Sequence, residues 1–135
     1  MKLEPQQRAY LEALLLSDRT KQMRQTLLRP LFNHQRNFIS SPARMKALFC
    51  SRRAGKTTLT PRQLFLSALE NKGTLARFWA ISRLRAKELI WDDLQRVNNE
   101  LNADAKFNET ELSVRLPDDS IIRLSGVDKL KEARK

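Results

Sequence analysis

The sequence predicts an α/β fold. Three observations carry that expectation: a Gly-Lys-Thr loop lies between an apolar run and a helical pattern, a second apolar run follows, and two alternating segments flank a turn near the end. In chain order, Pro5 to Leu16 carries Leu11, Leu14 and Leu15 on one face and predicts a helix. Lys21 to Leu28 predicts a second, and both end before Pro30. Phe32 to Phe38 reads as a short polar connection whose two phenylalanines pack, leading through Ser40-Ser41-Pro42 into Met45-Lys46-Ala47-Leu48-Phe49-Cys50, a short buried strand. Thr57 to Leu69 has apolar residues at helical spacing, and Asn71-Lys72-Gly73 is a turn. Ala76 to Ser82 is a second strand, apolar enough for a parallel sheet covered on both faces. Arg83 to Leu101 is a long helix bearing Leu84, Ile90, Leu94, Val97 and Leu101, and Glu111–Leu116 with Ser120–Leu124 form a hairpin around Pro117-Asp118-Asp119. The expected organisation is an N-terminal helical segment over 1–30, then a parallel-sheet core with flanking helices and a C-terminal hairpin over 31–135.

A chain of 135 residues with 41% hydrophobic and 30% charged residues is expected to form one soluble domain. No apolar run approaches the ~18 residues of a membrane span, and the first residues lack a signal-peptide pattern, so a cytoplasmic location is expected. A single cysteine excludes internal disulfides, and one cysteine with one histidine cannot make a conventional structural zinc site. The net charge of +11 is unevenly placed: 11 Lys and Arg and no acid lie between Arg19 and Leu69, while the other 15 basic residues balance the 15 acids. Such a segment suits a polyanion, ATP or DNA or both, beside the plainer reading of a solvated basic surface.

The chemistry sits in Cys50-Ser51-Arg52-Arg53-Ala54-Gly55-Lys56-Thr57-Thr58, a phosphate-binding loop of the Walker A kind. At the start of a helix, successive backbone N–H groups wrap phosphate oxygens near the positive end of the helix dipole. Ser51 to Thr58 would therefore form the nucleotide site. Gly55 permits close approach, the Lys56 ammonium bridges β- and γ-phosphates, and the Thr57 hydroxyl holds Mg²⁺ brought with ATP. Thr58 packs or caps. The pattern departs from the usual one at Cys50, where glycine ordinarily gives the loop its freedom. With its flanking strand and helix, the loop predicts a P-loop NTPase core.

Hydrolysis also needs acids after an apolar strand, to bind Mg²⁺ and to orient water. Leu89-Ile90-Trp91-Asp92-Asp93 fits only superficially, because it lies in a helical pattern with Arg96 placed i,i+4 from Asp92 as a surface partner. The chain reaches Lys135 without such a strand, so an incomplete motor is expected: an ATPase fragment, a truncated prophage product or a piece of a split protein. His34 reads as a packing or capping residue, and Arg83 and Arg85 as solvent-facing helix residues that are also candidates to act in trans. Gln35, with an amide that donates and accepts at once, either matches an adenine edge or is simply solvated.

His34-Gln35, Cys50 to Thr57, Trp79-Ala80-Ile81-Ser82 and the hairpin ending Leu124-Ser125-Gly126 together resemble the N-terminal ATPase domain of the large terminase subunits of tailed bacteriophages, over roughly residues 31–132. The resemblance implies that Gln35 contacts adenine. It also implies that Arg52, with Arg53 as a close rival, stabilises charge on the γ-phosphate, where the transition state spreads it over three oxygens. It further implies an ATP-driven motor that packages double-stranded DNA in the host cytoplasm with a small subunit and a portal, oligomeric when full-length, and a separate nuclease domain. A helicase-like translocase and a non-hydrolysing basic DNA-binding or assembly module are the alternatives.

Overall fold

In a computed structural model the chain is mixed α/β, and the structure describes residues 2–129. Its elements in order are helix α1 (Pro5–Leu28), helix α2 (Asn33–Ser40), helix α3 (Lys56–Glu70), strand β1 (Leu75–Ala80), helix α4 (Arg83–Leu101), strands β2 (Lys106–Asn108), β3 (Ser113–Arg115) and β4 (Ile121–Gly126), and a 3₁₀ turn at Val127–Lys129. The four strands form one sheet in the order β1-β4-β3-β2. β4 runs parallel to β1, while β3 is antiparallel to both of its neighbours, so the sheet is mixed rather than all-parallel.

The parallel pair requires a crossover, and α4 supplies it. Ser82 caps that helix, its hydroxyl accepting from the Arg85 backbone N–H at 3.1 Å. Asn102, in the left-handed region that Asn tolerates, ends it. Ile90, Trp91, Leu94, Val97 and Leu101 are buried at helical spacing, whereas Leu84, expected on the same face, is 67% exposed in the first turn. The buried residues of β4 alternate, with Ile122, Leu124 and Gly126 inward. Val114 lies opposite Ile122, Phe65 of α3 is fully buried, and Trp91 meets Phe107 edge-on at 5.4 Å. Gly126 is a steric requirement, because a Cβ there would sit 2.5 Å from the Arg83 backbone nitrogen.

Strand β1, expected to be covered on both faces, is an edge strand among the described residues, with Leu75 and Trp79 exposed, and four other elements depart from the sequence reading. The two N-terminal helices are one, α1, since Ser17-Asp18-Arg19-Thr20 is polar but contains no glycine or proline to stop a helix. The segment after Phe32 is helical, with Phe32 67% exposed at its N-cap and stacked on His34, while Phe38 is half-buried against the core. Strand β2 pairs with β3 through only three residues, too short a run to show a period of two. The fourth departure bears on function. Residues 45–50 form no strand; they run without ladder pairing, with Met45 90% and Phe49 94% exposed. An apolar run becomes a strand only where a neighbour takes its backbone groups and its side chains are covered. Among the described residues neither condition is met, because the only ladder partner of β1 is β4.

Among the described residues no helix is long and apolar enough to cross a membrane.

Candidate functional site

Gly55 is the N-cap of α3, with φ +85° and ψ 17° in the left-handed region that glycine occupies without strain. Its carbonyl accepts the first helical bond, from Leu59 N at 3.0 Å. The N–H groups of Lys56, Thr57 and Thr58 therefore fall in the first turn of α3, where the helix itself supplies no acceptor. That turn contains no acidic residue, which leaves the positive end of the helix dipole uncompensated. The buried face of α3, beginning at Leu59, fixes its direction, and Thr57 and Thr58 stay exposed at its mouth.

The loop closes on itself. The Lys56 ammonium donates to the Cys50 carbonyl at 2.9 Å and to the Ser51 carbonyl at 3.4 Å, spending two of its three N–H bonds across the base of the turn. Arg53 adopts φ +61°, so the backbone reverses through two left-handed residues, Arg53 and Gly55, with Ala54 half-buried between them. Ser51, Arg52 and Arg53 are exposed, and neither arginine joins an ion pair among the described residues. Arg52, Arg53 and Lys56 thus place three cations around one helix N-terminus. The cysteine departure at position 50 does not prevent this closed shape, since the two positive-φ positions fall elsewhere.

Gln35 lies at the back of the loop. It is 3% exposed; its Oε1 accepts from the Phe32 backbone N–H at 2.8 Å and its Nε2 donates to the Gly55 carbonyl at 3.1 Å. The amide thereby caps α2 and ties it to the N-terminus of α3, twenty residues later in sequence. This contact was not legible in the sequence, where glutamine had only the adenine edge and solvent as partners. His34 is exposed and stacked on Phe32. Two further ties brace the approach to the loop: Lys46 donates to the Ile39 carbonyl at 2.9 Å, and Arg36 donates to the Leu28 and Arg29 carbonyls at 3.1 and 2.9 Å, closing the C-terminus of α1.

The remaining expected positions lie away from the loop. Asp92 is exposed on α4, and Arg96 pairs with Asp93 at 2.9 Å rather than with Asp92. Arg83 donates to the Thr110 carbonyl at 3.0 Å and Arg85 pairs with Glu88 at 3.1 Å. No group of three or more metal-ligating side chains occurs among the described residues. Residues 130–135, the end of the expected core and of the resemblance, lie outside the described residues.

No known family, characterised protein or solved structure matches this chain.

Proposed function

We propose that the chain binds the phosphates of ATP through the Cys50–Thr58 loop, as the P-loop part of a DNA-packaging ATPase related to the large terminase subunits it resembles. The observation that supports this reading most directly is Gly55 in the left-handed conformation, capping a helix whose first residues are Lys56 and Thr57 and whose first turn carries no acid. Backbone N–H groups at that turn suit phosphate oxygens. Lys56 retains one free N–H and, by releasing the Ser51 carbonyl, offers a second. Arg52 is assigned to the γ-phosphate, with Arg53 its nearest alternative, and the exposed Thr57 hydroxyl to the Mg²⁺ that ATP brings. Bound Mg²⁺ would neutralise phosphate charge. Gln35 is assigned to hold the loop rather than the base, because each end of its amide already has a backbone partner.

Double-stranded DNA is the proposed polyanionic partner of the acid-free basic segment from Arg19 to Leu69. Turnover and translocation would belong to the motor in which Mg²⁺-binding and water-orienting carboxylates join this loop.

Titration with a fluorescent ATP analogue and Mg²⁺ tests the reading. Saturable binding is expected for the wild-type chain, with a loss of at least about tenfold in affinity, about 1.4 kcal/mol, for Lys56→Ala. Equal binding by the two proteins would overturn it.

A further inference from the structure

Helix α1 divides into two parts. From Arg19 onward it docks: Arg19 donates to the Asn102 carbonyl at 3.1 Å and lies 3.8 Å from Asp104, Met23, Leu27 and Leu28 pack on the core, and Arg24 pairs with Glu70. Residues 2–22 are all exposed, although Tyr10, Leu11, Leu14, Leu15 and Leu16 lie among them. A helix end of this length without packing is marginal in water, and leucines concentrated on it mark a surface that meets something.

The arrangement of charge says what. Arg8, Leu11, Leu15 and Asp18 follow one another at intervals of three, four and three, which places them on a single stripe of α1. The stripe reads the same in reverse, with the charges exchanged: reversal about residue 13 superposes Leu11 on Leu15 and Arg8 on Asp18. Neither Arg8 nor Asp18 joins an ion pair among the described residues.

We propose that the exposed part of α1 is a homodimerisation surface that pairs antiparallel with α1 of a second copy of this chain. Leu11 packs on the partner's Leu15 and Leu15 on the partner's Leu11, while Arg8 meets the partner's Asp18 at both ends, as an isologous two-fold contact requires. A parallel pair would instead set Arg8 against the partner's Arg8 and Asp18 against the partner's Asp18, so charge selects both the partner and the direction.

Sedimentation velocity of the whole chain over a range of concentrations tests this. The wild type is expected to move from monomer towards twice the monomer mass as concentration rises, and less so in high salt. Arg8→Asp and Asp18→Arg are each expected to abolish the shift, with helical circular dichroism retained, and the double reversal to restore it. In a Cys50→Ser background, Leu11→Cys mixed with Leu15→Cys should oxidise to a crosslinked pair, whereas neither variant alone should. A monomer at every concentration, a dimer indifferent to both single reversals, or efficient crosslinking of Leu11→Cys with itself would each overturn the proposal. The first would leave a different protein, or a lipid surface, as the occupant.

Discussion

Gly55 and Gln35 constrain each other, and the constraint has two separable parts. The left-handed φ of +85° disfavours any other residue by roughly 1 kcal/mol or more, whatever surrounds it. A Cβ at this position would also lie 2.4 Å from the Gln35 Nε2, a contact that forces the amide off the Gly55 carbonyl. Gly55→Ala should therefore lower stability by about 2–3 kcal/mol, the backbone strain added to the loss of a buried hydrogen bond. Gln35→Ala should cost about 1–3 kcal/mol, since the Phe32 N–H loses its acceptor. With Gln35 removed, Gly55→Ala should retain only its backbone strain, so the double variant should be less destabilised than the two effects summed. Urea denaturation of the four proteins measures this. Strict additivity would mean that the Gln35 contact does not hold the loop.

At the scale of elements, one arginine joins three helices. Arg62, on the buried face of α3, donates to the Leu27 carbonyl at the end of α1 at 3.1 Å and pairs with Glu100 of α4 at 2.7 Å; its Nε has no partner among the described residues. Removing it strands the Leu27 carbonyl and unpairs Glu100, so Arg62→Ala should destabilise by about 2–4 kcal/mol. Glu100 is one-third exposed and its charge can be hydrated, so Glu100→Gln should cost under about 1 kcal/mol. Equal costs, measured by urea midpoint, would count against a hub centred on the arginine. Helices α3 and α4 and the β3–β4 hairpin are legible in the sequence because their period, caps and turn residues are local. Arg62 is not: on periodicity alone a charged residue belongs on the wet face, and only the convergence of α1 and α4 supplies its partners. The same distinction explains residues 45–50, whose local pattern is that of a strand. Whether such a run is paired depends on a neighbouring strand, which no local pattern specifies. Of the candidate site, loop and helix start were readable from glycine and lysine spacing, but the Gln35 tie joins residues twenty apart and has no local signature.

For the whole molecule, the uneven charge separates the two proposed ligands by their response to salt. If the basic segment neutralises about four phosphates of a duplex, log K should fall with log[salt] with a slope near −3.6, a loss on the order of 10²-fold between about 50 and 200 mM. ATP held by backbone N–H groups and a few charges at one loop should be far less sensitive, because short-range contacts at a helix terminus are screened much less than a charge field spread over a surface. Saturating Mg·ATP, at about 100 times its Kd, should stabilise the fold by about 2.7 kcal/mol, seen as a rise of several degrees in melting temperature. Lys56→Ala discriminates between the two ligands. It should remove the ATP-dependent rise while shifting the duplex slope by only about 0.9, one charge among several. If instead it abolished duplex binding and left the thermal shift intact, the loop would belong to the DNA and the phosphate assignment would fail.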